Sequence, residues 1–203
     1  LLFQYSGPGS QQVSDSYYSS HNIWHQLLLQ KGYIVACVDG RGTGFKGAAF
    51  KKATYLNLVK HETEDQIEVA RQLGNRSYID KNRIGIWGWS FGGHVSTNCI
   101  LKGNDVFSTA IAVAPVTSWR FYDTIYTERF MRTPQENPSG YDDNSPFNYP
   151  QLLKGNYLII HGSGDDNVHV QNTMQMVEGL IQANKKFEWL IYPDRNHGIY
   201  GGN

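Results

Sequence analysis

The sequence predicts an α/β fold: a mostly parallel sheet with helices on both faces. Short apolar runs recur along the chain, and they are nearly continuous in hydrophobicity rather than alternating. Helical patterns lie between them, and each run ends near glycine or an acidic residue. At 203 residues, with 40% apolar and 18% charged residues, the chain has the size and composition of one folded domain, read here as residues 1–203.

In chain order the predicted strands are residues 1–5, 33–38, 84–87, 110–114, 157–160 and 187–192. Between the second and third, residues 62–73 keep Ile67, Ala70, Arg71 and Leu73 at helical spacing. Their acidic start suits the positive end of a helix dipole. Residues 94–101 can be helical. After the fifth run, residues 170–183 repeat Met174, Val177 and Ile181 at helical spacing. The stretch 133–150, rich in Pro, Asn, Ser and Asp, predicts an irregular excursion within the same domain.

Formal net charge is zero and no basic run stands out, so nucleic acid is not an expected partner. No apolar stretch is long enough to cross a bilayer. Thirteen Tyr, nine Phe and five Trp fit an aromatic-lined pocket or a heavily packed interface. Cys37 and Cys99 both sit in apolar surroundings and read as two buried thiols. Opening inside a strand without methionine, the sequence reads as a fragment, its sheet truncated at both ends.

The strongest local signal is Gly88-Trp89-Ser90-Phe91-Gly92, a Gly-x-Ser-x-Gly between a predicted strand and a predicted helix. A sharp strand-to-helix turn lifts the serine hydroxyl above the sheet in a strained conformation, so its neighbours must lack side chains. The N–H after the nucleophile, that of Phe91, then faces a developing oxyanion. This context makes the predicted fold an α/β-hydrolase and Ser90 its nucleophile.

Such a fold supplies the acid and then the base later in the chain, in loops beyond strand carboxyl ends. The fifth run leads into His161-Gly162-Ser163-Gly164-Asp165-Asp166-Asn167, and the sixth into Pro193-Asp194-Arg195-Asn196-His197. His197 is the only histidine in a loop after the last strand. His161, at a strand end, reads as structural, and His94, on the helix after the elbow, points away from the hydroxyl. His21 and His25 are four apart, but Asn22 stands where a zinc-protease helix carries Glu. His61 and His169 have no evident partner. Order leaves Asp165 and Asp166 equal, while Asp194 reads as a turn former.

Gly42-Thr43-Gly44-Phe45-Lys46-Gly47 matches a dinucleotide-binding glycine pattern. The acid at the required spacing, Glu62, opens a helix instead of ending a strand. A flexible surface turn around Arg41 is the better reading.

Taken together, these residues resemble the prolyl oligopeptidase family, in its dipeptidyl peptidase IV branch, over essentially the whole chain. The matching stretches are Tyr5-Ser6-Gly7-Pro8-Gly9, Asp39-Gly40-Arg41-Gly42, Glu64-Asp65-Gln66-Ile67, Gly88-Trp89-Ser90-Phe91-Gly92-Gly93, Ala112-Val113-Ala114-Pro115-Val116, Tyr126-Thr127-Glu128-Arg129 and His161-Gly162 with Asp165-Asp166-Asn167-Val168-His169. The resemblance implies release of N-terminal dipeptides carrying Pro, or less readily Ala, in second position. It implies Ser90, Asp165 and His197 as catalytic residues and the Tyr5 hydroxyl as the second oxyanion donor, beside the Phe91 N–H. Val116, Trp119, Tyr122, Tyr126 and Val168 match a pocket for a pyrrolidine ring. Arg129 and Asn167 match residues that hold the preceding carbonyl.

If residues 116–129 form one helix, Val116, Trp119, Tyr122, Tyr126 and Arg129 share a face, a stripe that by periodicity alone reads as core. The chain departs from the family in Phe91, where tyrosine is usual, and in His94, where an aromatic is usual. By the same resemblance the parent protein is expected to be a secreted or envelope-associated homodimer. A β-propeller whose paired glutamates grip the substrate amino terminus is expected outside these residues. No metal or organic cofactor is implied. Related specificities (tripeptide or acylamino-acid release, or an esterase) and a non-catalytic interaction module remain the rival readings.

Overall fold

The computed structural model describes residues 1–16 and 22–201. Among the described residues, six strands form one parallel sheet: β1 (Leu2–Phe3), β2 (Ala36–Cys37), β3 (Gly85–Trp89), β4 (Thr109–Val113), β5 (Asn156–Gly162) and β6 (Glu188–Tyr192). Their spatial order is β2-β1-β3-β4-β5-β6. The register runs from Leu2 against Ala36 and Ile86, through Ile86 against Ala110 and Ala110 against Tyr157, to Leu158 against Glu188. This is the α/β-hydrolase arrangement that the sequence predicts.

The α-helices among the described residues connect and cover the strands: α1 (Asn22–Gln30), α2 (Ala48–Lys52), α3 (Lys60–Gly74), α4 (Phe91–Lys102), α5 (Thr124–Met131), α6 (Pro138–Asp142) and α7 (Gln171–Gln182). Side chains alternate across a strand, and here the two faces differ. Ile86, Ala110, Ala112, Tyr157 and Ile159 are fully buried, in one core with Ile67 of α3, Val95, Cys99 and Ile100 of α4, and Met176 and Leu180 of α7. Phe3 and Trp87 project from the opposite face, where the His25 ring of α1 lies 5.2 Å from Phe3 and 6.3 Å from Trp87.

The continuous apolar runs therefore do not signal equal cover. In β6, Trp189, Leu190 and Tyr192 are 40–49% exposed, and β3 to β5 alternate buried with half-buried positions. On α7 the buried stripe is Met176, Val177 and Leu180, whereas the predicted Met174 and Ile181 face outward at 40% and 56% exposure.

Residues 133–150 form the predicted excursion, but short helical turns order part of it. Asn137 caps α6 by accepting from the Gly140 N–H, with Pro138 in its first turn, and short 3-10 turns follow at Pro146–Asn148 and Pro150–Leu152. Tyr141 of α6 is 1% exposed, and these turns pack against α4 and α7. Cover from both sides explains why every residue of α4 from Phe91 to Leu101 is buried. Among the described residues no helix is long and apolar enough to cross a membrane.

Because every strand runs the same way, the segments after β1, β2, β3, β4, β5 and β6 all leave from one edge. Tyr5, Arg41, Ser90, Val116, Asp165 and His197 occupy these segments.

Candidate active site

Ser90 caps α4 with φ 59° and ψ −116°, a left-handed backbone that an L-residue adopts only under strain. Its neighbours permit it. A Cβ on Gly88 would stand 2.5 Å from the Gly92 carbonyl oxygen, and one on Gly92 would stand 2.5 Å from that of Gln4. The Ser90 N–H donates to Val113 O at 2.8 Å, which fixes the turn against β4. The next N–H, of Phe91, lies in the first turn of α4, where a helix provides no internal acceptor.

Asp165 and His197 meet. His197 Nδ1 lies 2.7 Å from Asp165 Oδ2, with the carboxylate side chain fully buried and the imidazole 22% exposed. The other oxygen, Oδ1, accepts the N–H groups of Asn167 (2.9 Å) and Val168 (2.8 Å). His161 Nε2 approaches Oδ2 as well, at 3.1 Å. Burial works to raise the Asp165 pKa, but the hydrogen bonds from His161, His197, Asn167 and Val168 outweigh it, holding the group well below the carboxylate range. An ionised Oδ2 facing Nδ1 puts the imidazole proton there and leaves Nε2 as the basic nitrogen. Ser90 Oγ makes no hydrogen bond among the described residues.

The remaining histidines have other partners. His161 is 0% exposed, with Nδ1 at 2.7 Å from Thr173 Oγ1 and Nε2 at 2.8 Å from Val168 O. His94 Nε2 donates to Asn144 O at 3.0 Å, and complete burial drops its pKa to about 4. His61, which lacked an evident partner in sequence, pairs with Glu64 at 2.8 Å and lies 3.1 Å from Arg41. His169 Nδ1 accepts from the Gln171 N–H, and His21 lies outside the described residues. Asp194 turns the chain at φ 57°, its N–H donating to Ser163 Oγ. Cys37 and Cys99 are free thiols, Cys37 only partly buried.

The turn around Arg41 is anchored rather than flexible. Its guanidinium and N–H bond Asp65 at 2.6–3.1 Å, and Thr43 is 0% exposed with its hydroxyl on Gly40 O.

Residues 116–129 do not form one helix. Ser118 caps a 3-10 turn at Trp119–Phe121, the chain extends at Tyr122, and Asp123 restarts it by accepting from the Tyr126 N–H of α5. Two capping side chains thus replace the single stripe. The aromatic residues converge all the same. Ring centroids of Trp119, Tyr122 and Tyr126 are 5.4–6.0 Å apart, with Trp119 and Tyr126 nearly parallel. Val116 and Val168, at 2% and 0% exposure, back this wall from within.

Burial pushes the Tyr122 phenol up to about 12 and raises those of Tyr126 and Tyr5, so all three hydroxyls stay protonated donors at neutral pH. Tyr122 OH donates to Asn167 Oδ1 at 2.6 Å, which turns the Asn167 amide so that its NH2 is free to donate elsewhere. Arg129 is exposed, rests 4.6 Å from the Phe130 ring, and makes no ion pair among the described residues. Tyr5 leaves the sheet after β1, its ring centroid 6.1 Å from that of Phe91.

One contact was invisible in the sequence. The Trp89 indole N–H donates to the His197 backbone carbonyl at 2.9 Å, across 108 residues.

The profile of the prolyl oligopeptidase family matches residues 19–203. "Probable dipeptidyl-aminopeptidase B" of Coccidioides posadasii is 46% identical over 206 residues, covering 100% of this chain and 22% of that protein. The protein of the same name from Sclerotinia sclerotiorum is 44% identical, with the same coverage. The crystal structure of Porphyromonas gingivalis dipeptidyl peptidase 4 superposes with a TM-score of 0.96 at 54% identity, over 100% of this chain and 28% of that one. The chain thus spans less than a third of the length of these relatives.

Proposed function

Since the chain belongs to the prolyl oligopeptidase family, we propose that residues 1–203 are the catalytic α/β-hydrolase domain of a serine peptidase releasing Xaa-Pro, and more slowly Xaa-Ala, dipeptides from peptide amino termini. The observation that carries the reading is the 2.7 Å contact of His197 Nδ1 with the buried Asp165, at the sheet edge where Ser90 is held in its strained turn.

In this mechanism His197 Nε2 takes the proton of Ser90 Oγ as the oxygen attacks the carbonyl that follows proline. Asp165 holds the imidazole in the required tautomer and stabilises its charge. The Phe91 N–H and the Tyr5 hydroxyl donate to the oxyanion. His197 then gives its proton to the departing amine, and water, deprotonated by the same imidazole, releases the dipeptide and restores Ser90.

Half-buried Tyr122 and Tyr126 stand edge-to-face with each other, over the buried Trp119, Val116 and Val168, and offer an aromatic-lined surface. A prolyl ring suits it because the ring is rigid and has no N–H to satisfy. Asn167 NH2 and Arg129 donate to the carbonyl before proline. Selection for a free amino terminus belongs to parts of the protein beyond these residues.

The test is hydrolysis of a Gly-Pro anilide by the full-length protein beside its Ser90→Ala variant and an amino-blocked substrate. Turnover of the free substrate alone, lost in the variant, supports the reading. Retained turnover in Ser90→Ala refutes it. Turnover of the blocked substrate instead assigns a different specificity.

A further inference from the structure

The two oxyanion donors proposed above come from different elements, Tyr5 from the segment after β1 and the Phe91 N–H from the start of α4. Such donors must be held to within roughly 0.5 Å of their working geometry. The sheet itself does little to fix them. β1 is two residues long, and its last rung toward β3, Gln4 N–H to Trp87 O, is a long 3.4 Å.

Beyond that rung the side chain of Gln4 takes over. Its Nε2 donates to the Gly92 carbonyl at 2.7 Å and to Ser96 Oγ at 3.0 Å. Gln4 and Ser96 are both 0% exposed. A carbonyl can only accept, so the Gly92 contact also decides which way the amide faces. The Gln4 backbone carbonyl, in turn, occupies the space that a Cβ on Gly88 or Gly92 would fill.

The far end of the same segment is anchored elsewhere. Gln12 and Val13 N–H groups donate to Asp39, and Gly9 and Ser10 exchange backbone hydrogen bonds with Gly42 and Gly44. Those contacts refer the segment to the turn after β2. Gln4 refers it to the helix that carries the nucleophile.

We propose that Gln4 is a positioning residue for the oxyanion site, clasping the Tyr5 segment to the first turn of α4 so that the Tyr5 hydroxyl and the Phe91 N–H converge on one point. The proposal rests on the peptidase reading. It assigns Gln4 an effect on the transition state rather than on substrate binding, because the residue is fully buried and cannot touch substrate.

The experiment measures kcat and KM of the full-length protein on a Gly-Pro anilide, with active sites counted by fluorophosphonate titration so that misfolded protein drops out. Gln4→Met keeps the length of the side chain but removes both hydrogen bonds. Its kcat per active site is expected to fall roughly tenfold with KM within about twofold, a fraction of the hundredfold or more that deleting an oxyanion donor costs. In a Tyr5→Phe background the same change is expected to cost less than about twofold, since the hydroxyl it positions is gone.

Ser96→Ala, a milder variant that folds more readily, is expected to lower kcat about twofold to threefold in the same pattern. A slowed Tyr5→Phe enzyme together with wild-type kcat in both Gln4→Met and Ser96→Ala overturns the clasp alone, as does full additivity of Gln4→Met with Tyr5→Phe. Undiminished kcat in Tyr5→Phe overturns the oxyanion reading and the clasp with it.

Discussion

The indole of Trp89 donates to the backbone carbonyl of His197, so the residue beside the strained serine holds the loop that carries the imidazole. The two lie 108 residues apart and on different strands' exits. The contact sets the height of that loop over the elbow.

Trp89→Phe keeps an aromatic ring at the end of β3 and removes the hydrogen bond. A loop free to shift by a fraction of an ångström loses near-attack geometry, so kcat is expected to fall on the order of tenfold with KM little changed. Steady-state kinetics on a Gly-Pro anilide checks this.

Tyr122→Phe tests the pocket's polar end. The ring keeps its packing against Trp119 and Tyr126, but Asn167 Oδ1 loses its donor and the amide is free to turn. Substrate binding is then expected to weaken, with KM rising roughly threefold to tenfold and kcat changed less.

Several parts of this fold were legible in the sequence for local reasons. The elbow glycines, the acidic start of α3 and the apolar runs each respond to nearby backbone demands, so all six strands were found near their places. The misses have tertiary causes. The face packing of α7 depends on where the short turns at 146–152 lie, which no helical periodicity records. The break at Tyr122 depends on Ser118 and Asp123 each capping a separate turn. Asp165 and Asp166 are equivalent in sequence, and only Asp165 is turned inward, by the Asn167 and Val168 N–H groups. Contacts such as Trp89 with His197 and Gln4 with Gly92 span about 90 residues or more and leave no local pattern.

His94 is predicted to make the domain acid-sensitive. Buried neutral, with its pKa down at about 4 in the fold against about 6.5 in an unfolded chain, it binds a proton in the unfolded state first. Its contribution is therefore fully present above pH 6.5 and is lost as pH falls toward 4, by roughly 3 kcal/mol. His94→Phe gives up the Asn144 hydrogen bond, about 1 kcal/mol at pH 7, but its stability is expected to fall less steeply across that window. Urea midpoints at pH 7.5, 5.5 and 4.5 compare the two slopes.

Ser90→Gly relieves the left-handed backbone of the elbow. The variant is expected to be inactive yet more stable than wild type by about 1 kcal/mol, a gain of a few degrees in Tm. Thermal unfolding of the two proteins side by side gives the answer.

The most direct measurement is covalent labelling of the full-length protein by a fluorophosphonate, with the modified peptide located by mass spectrometry. The account predicts one phosphonylated residue, Ser90, and labelling slowed by a thousandfold or more, on the order expected for loss of a triad member, in His197→Gln and Asp165→Asn. Labelling at another serine, or an undiminished rate in His197→Gln, contradicts it.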